Sequence, residues 1–244
     1  MRLDRPVRAV LLDVDGTLYQ QNALRAFMAL ELFALRFVQS SSPSTVNLWK
    51  ILRVFRRVRE ELRDLGAPAE ALGELQYVHT AQRIDVDPAA VAEAVSEWIF
   101  SRPLKYLWVC RRRRLESFCE FLVNQNIAVG VFSDYPGDEK LRALNLSGYK
   151  IWPVLCATDP QVNAFKPHPN GFLRACELWK LAPDEVLYVG DRYEVDAVGA
   201  AAAGMPCAII SNKRRKKAHP KYGNCFAISS FPELQDVLID NIKH

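Results

Sequence analysis

The chain has 244 residues, half of them hydrophobic and a quarter charged, enough for one large α/β domain or for a core domain with a smaller insert. That excludes a disordered chain and a disulfide-stapled miniprotein. The formal net charge of +4 conceals a local split, because fifteen of the 32 Lys and Arg residues fall within 50–63, 111–114 and 213–217, where Glu60 and Glu61 are the sole acids, and the remainder is acidic. An acidic globule with three basic segments gives no expectation of bulk nucleic-acid binding.

In chain order, Val7 to Leu12 is a short apolar, β-favouring run that ends at an acid and a glycine, as a buried parallel strand feeding a loop does. The interval from about 20 to 105 has helical periodicity and no convincing strand. There Ile51, Phe55, Val58, Leu62 and Leu65 recur at three- and four-residue steps, and Gly66 with Pro68 stops the helix. Pro88 and the run 89–100 predict another helix, and the serine-rich 40–44 predicts a helix connection. Further strands are predicted at 127–132, 151–155, 186–189 and 206–210, alternating with helices over 139–146, 169–181 and 195–203. This is the βαβ rhythm of a Rossmann-like, doubly wound parallel sheet. The expected division is a core over 1–20 and 106–244 with a helical cap over 21–105.

Six cysteines without a C-x-x-C pair, and an N-terminus without a charged-then-apolar leader, predict free buried thiols in a reducing cytoplasm. Ala23 to Val38 is the most apolar long window, but Arg25, Glu31 and Arg36 interrupt it, so no membrane span is expected. The five tryptophans are expected to be packing residues, and the four histidines show no metal spacing.

Ligands of an open parallel sheet bind beyond the carboxyl ends of its strands. The residues there are Asp13-Val14-Asp15-Gly16-Thr17, Ser133-Asp134, Lys166-Pro167 and Gly190-Asp191. A D-x-D-G-T string alone arises by chance at roughly one position in 10⁵ at average residue usage. Taken together, in this order, the four segments resemble the four motifs of the haloacid dehalogenase superfamily of phosphohydrolases, and the position of the insert resembles its helical-cap, phosphoglycolate phosphatase-like subclass.

The resemblance implies a phosphatase acting on a small phosphorylated metabolite. Asp13 would be the nucleophile that becomes an aspartyl-phosphate, and Asp15 the general acid and base. Ser133, Lys166 and the Gly16 turn would hold the phosphate oxygens, Lys166 adding a fixed positive charge. Asp13, Asp191 and the Asp15 backbone carbonyl would ligate Mg²⁺, with Asp196 in support. This division of labour asks for Asp13 ionised and Asp15 available as an acid. Dehalogenases and phosphonatases of the superfamily lack an acid two residues after the nucleophile, so Asp15 favours phosphate-ester hydrolysis; a sugar-phosphate mutase keeps both acids and stays open. Asp134 is read as a loop or capping residue as readily as a catalytic one.

Three readings of the basic helix around Lys50, Arg53, Arg56, Arg57, Arg59 and Arg63 stay open. They are a solvated face, recognition of a second anionic group on the substrate, and contact with an acidic membrane surface or nucleic acid. The runs 111–114 and 213–217 are expected to be exposed loops. Tyr19 to Asn22 is expected to be a hinge, and oligomeric state is not legible.

Overall fold

The protein is described here from a computed structural model covering residues 5–38, 43–211, 222 and 224–242. The basic run 213–217, most of the serine-rich connection, His219 and His244 lie outside the described residues. Strands β1 (Ala9–Leu12), β2 (Ala128–Ser133), β3 (Ile151–Cys156), β4 (Val186–Gly190), β5 (Cys207–Ile210) and β6 (Cys225–Ile228) form one sheet in the order β3-β2-β1-β4-β5-β6. Every pairing is parallel.

β1 is buried on both sides, and its alternation defines two layers. Val10 and Leu12 face one core with Phe118, Leu122, Phe231 and Leu234 of α6 (Leu115–Asn124) and α10 (Phe231–Ile242), whereas Ala9 and Leu11 face another with Phe172, Ala175 and Ala200. Those last three belong to α8 (Asn170–Trp179) and α9 (Val198–Ala203). A sheet covered on both faces is what continuous apolar strands require. The chain leaves β1, enters β2 and β3 on one side, then crosses to β4 on the other, so the strand order reverses beside β1. That reversal opens the ligand crevice at the carboxyl ends of β1 and β4.

Between β1 and β2 lie α1 (Gln21–Val38), α2 (Pro43–Asp64), α3 (Leu72–Ile84), α4 (Pro88–Val95), a π-helical turn at Ser96–Ser101, and α5 (Leu104–Cys110) before α6. No strand occurs among the described residues of this cap. An isolated antiparallel bridge between Tyr19 and Arg111 draws the two ends of the excursion together. The α2 stripe of Ile51, Phe55, Val58 and Leu62 is buried, but Leu65 is exposed, because α2 has already ended at Asp64 before Gly66 takes a left-handed φ of +74°.

Helix 139–146 is shorter than expected. α7 spans Asp138–Ala143, and Asn145 takes φ 62°, a conformation asparagine tolerates. Helix 89–100 is α4 plus the π turn. Strand β6 was not expected, since its four residues give no period to read. Three tryptophans expected to pack, Trp49, Trp108 and Trp152, are about half exposed. All six cysteines are buried and free, and among the described residues no helix is long and apolar enough to cross a membrane.

Candidate active site

The parallel register levels the strand ends. Leu12 pairs with both Val131 and Val189, so Asp13, Ser133 and Asp191 emerge together at the crevice. Asp13 is pinned there by its N–H, which donates to the Val189 carbonyl at 2.8 Å, and it is 4% exposed. Its Oδ2 accepts from Thr17 Oγ1 at 3.0 Å, and its Oδ1 accepts from Lys166 Nζ at 2.7 Å. The turn between them needs Gly16: its φ is +95°, and a Cβ there would stand 2.2 Å from Asp191 Oδ2. Arg112 holds that turn from outside, donating from Nη2 to the Gly16 carbonyl at 2.7 Å.

Lys166 is buried and meets Asp13, Asp196 Oδ1 at 2.7 Å and the Tyr188 hydroxyl at 3.0 Å. Asp196 commits both of its oxygens. Oδ1 accepts from Lys166 and from the Tyr188 hydroxyl, while Oδ2 accepts the backbone N–H of Asp191 at 3.1 Å and of Arg192 at 2.9 Å. Asp191 differs, because no donor among the described residues reaches its carboxylate. Carboxylate oxygens of Asp13, Asp191 and Asp196 lie within 4.8 Å of one another. An all-oxygen cluster holding one unsatisfied carboxylate has the chemistry of a hard divalent cation site.

Asp15 sits across the crevice in a cage of donors. Lys140 Nζ lies 2.6 and 2.7 Å from its two oxygens, Ser133 Oγ donates to Oδ2 at 3.3 Å, and the Tyr19 hydroxyl donates to Oδ1. Ser133 is thus placed at the site through Asp15. Asp134 has a holding role: its Oδ1 accepts the Lys166 N–H at 3.2 Å and its Oδ2 pairs with Arg63 at 2.9 Å.

The groups around them act on the two carboxyls in opposite directions. Burial, reinforced by Asp196, Asp191 and Asp15 against the opposing charge of Lys166, raises the pKa of Asp13 well above the usual carboxylate range. Burial also acts on Asp15, but the ammonium of Lys140 and its hydrogen bonds outweigh it, and the pKa is lowered. Burial and the repulsion of Asp196 push Asp191 up to about 6. For Lys166, burial is outweighed by Asp13 and Asp196, and its pKa lies well above the usual lysine value. The lysine therefore stays a cation.

The basic helix divides by face. Lys50, Arg53, Arg56 and Arg57 are exposed, whereas Arg59 and Arg63 turn toward the core. Arg59 is 3% exposed, donates to Gln76 Oε1 at 2.6 Å and to the Asp134 carbonyl at 2.8 Å, and lies over the rings of Tyr135 and Phe165 at 3.9 and 4.2 Å. Beside it, a cavity of about 210 Å³ runs between cap and core, bounded by Gln76, Tyr77 and Phe100 on one side and by Asp134, Tyr135 and Thr158 on the other. Arg192 is exposed. The expectation that 111–114 is an exposed loop fails at its first half: Arg111 pairs with Glu116 at 2.8 Å, and Arg112 supports Gly16.

Lys140, Tyr19 and Tyr188 carry contacts that the sequence reading did not assign. Lys140 had a legible signal: it falls on the same helical stripe as Leu144, four residues on, where a solvent lysine does not belong. Tyr19, the first residue of the stretch 19–22, is buried at the site.

Residues 7–204 match the family model for haloacid dehalogenase-like hydrolases. The chain is 25% identical to a glyceraldehyde 3-phosphate phosphatase of Methanopyrus kandleri, over 97% of this chain and 99% of that one. Among solved structures it is similar to a 2-haloacid dehalogenase from Pseudomonas syringae pv. Tomato DC3000, with a TM-score of 0.64, 21% identity and coverage of 96% and 99%. A HAD phosphatase from Thermococcus onnurineus gives a TM-score of 0.59, 22% identity and coverage of 95% and 98%. At these identities the structures speak for the fold, and the family model for the class: the chain belongs to the haloacid dehalogenase-like hydrolases.

Proposed function

We propose that this hydrolase cleaves a small phosphate monoester, with Asp13 as the nucleophile and Asp15 as the acid and base. The observation that carries the reading is the pairing of a buried strand-end carboxylate, Asp13, with a second acid, Asp15, two residues on, each held by its own lysine at 2.6–2.7 Å. Asp13 would attack phosphorus and the leaving alcohol would take a proton at its oxygen from Asp15. Asp15 would then accept a proton from the water that hydrolyses the aspartyl-phosphate. The lowered pKa of Asp15 suits the second step directly. For the first, a phosphate dianion brought against Asp15 raises its pKa and lets it carry the proton. Lys166 and Ser133 supply donors to the phosphate oxygens, and the leaving group extends into the cavity beside Arg59.

The donor set fits magnesium. Asp13 and Asp191 would hold it through carboxylate oxygens with the backbone carbonyl of Asp15, whereas Asp196, both oxygens committed, orients Lys166 and the loop at Asp191. Bound magnesium would neutralise charge on the carboxylates and the phosphate, opposing the repulsion that raises the Asp13 pKa and so favouring the ionised nucleophile. Because Asp191 titrates near 6, protons compete with the cation below that pH. The folded-state pKa is raised, so without cation the fold gains from acidification, and with cation it gains from ionisation. Magnesium should therefore raise the melting temperature clearly at about pH 7.5 and little at about pH 5; equal shifts at both would contradict a site at Asp191.

Dehalogenases share the fold, and the test separates the chemistries. Incubated with an aryl phosphate, the protein should release inorganic phosphate, and with a 2-haloacid it should release no halide. Halide release without phosphate release would overturn the reading, and isomerisation of a hexose phosphate without net phosphate release would replace it with a mutase.

A further inference from the structure

We propose that the outer face of the cap, formed by residues 26–34 of α1 and 49–57 of α2, docks on an anionic lipid bilayer. On α1, Leu30 is 66% and Phe33 59% exposed, and on α2 Trp49 is 47% exposed. Ala26, Ala29 and Ala34 of α1 are exposed on the same stretch. At 100° per residue, positions 26, 29, 30, 33 and 34 span one side of the helix, opposite buried Leu24 and Leu32. Leu32 packs against Leu52 of α2 and Trp98, with Met28 and Leu48 at the edge, so α1 and α2 meet along their buried sides and leave Leu30 and Trp49 on the outside. Exposed apolar side chains grouped on one helix face mark an interaction surface.

Charge selects that partner. Lys50, Arg53, Arg56 and Arg57 are exposed beside Trp49, and no acid occurs from 43 to 59. Glu31, the single acid of α1, is taken by Arg102 at 3.0 Å and Lys105 at 2.7 Å. A second copy docked on this face about a twofold axis would bring these cations against their own like. Nucleic acid would use the cations and leave the aliphatic stripe in water. A bilayer of anionic lipids accepts both, the apolar side chains at the acyl boundary and the cations at the headgroups. The protein would lie on the membrane, since no described helix is built to span it. The opposite face of α2 sends Arg59 and Arg63 to the loop at Asp134, so one helix joins the docking face to the catalytic crevice.

The test is co-sedimentation of the full chain with vesicles of phosphatidylglycerol and phosphatidylcholine in equal parts, and with phosphatidylcholine alone. Binding is expected to the mixed vesicles only, to weaken with added salt, and to fall at least tenfold in the variant Arg53→Gln/Arg56→Gln/Arg57→Gln and in Leu30→Ser/Trp49→Ser. Both variants should keep wild-type turnover of a soluble aryl phosphate, or a wild-type circular dichroism spectrum if that activity is absent, because none of these residues reaches the crevice. No binding to anionic vesicles would overturn the proposal, as would binding unchanged in both variants. So would a dimer in light scattering that Leu30→Ser/Trp49→Ser dissociates, or a complex with duplex DNA that outcompetes the vesicles.

Discussion

Replacing Asp13 with asparagine is expected to lower phosphate-ester turnover by at least about 10⁴-fold, the scale on which loss of a nucleophile is felt, while leaving the protein folded. The asymmetry follows from what the side chain touches. Asn retains an oxygen to accept from Lys166 Nζ, and the Thr17 hydroxyl can rotate to accept from the new amide. The substitution gives up the attraction of Lys166, which keeps Asp196 as its counter-ion, and in return relieves burial of a charge and the repulsion of Asp196, Asp191 and Asp15. Stability should therefore change by no more than about 1 kcal/mol, measured by urea unfolding beside the rate assay. Turnover retained in a folded Asp13→Asn protein would remove Asp13 from the chemistry.

Lys166→Met should damage both fold and activity. The ammonium lies between two buried carboxylates at 2.7 Å each, inside a shell closed by Tyr188. Removing it leaves Asp13 and Asp196 facing one another without compensation, a loss of about 3–5 kcal/mol for breaking a buried ion pair from one side. Activity should fall by a further factor of about 10²–10³ through loss of a fixed positive group at the phosphate. Lowering the pH should partly restore stability, because carboxyls with raised folded-state pKa values take up protons and the folded state gains. Adding Asp196→Asn should restore stability without restoring turnover. Loss of less than about 1 kcal/mol in Lys166→Met would show that the buried triad is not what holds these strand ends together.

The sheet and the site ends were legible because each rests on a local rule. Apolar runs mark buried parallel strands, and the residues after them are the ones a doubly wound sheet exposes at its crevice, which places Asp13, Ser133, Lys166 and Asp191 together. The stripe of Ile51, Phe55, Val58 and Leu62 was equally local. The opposite pKa directions of the two aspartates were not, since they depend on partners far away in sequence: Lys140, 125 residues from Asp15, and Lys166, 153 residues from Asp13. The directions of Arg59 and Arg63 are likewise tertiary: a run of cations shows no inside until the cap closes on Asp134 and Phe165. The four residues of β6 are held as an edge strand by pairing with β5, a long-range contact that no period announces.

The central claim, a phosphoryl group carried on Asp13, is tested most directly by acid-quenching the enzyme during turnover of an aryl phosphate and mapping its peptides by mass. The account predicts that the peptide bearing Asp13 gains the mass of one phosphoryl group, and that this gain is absent from Asp13→Asn. A quenched enzyme that is turning over substrate at full rate, with the added mass on another residue, would contradict it.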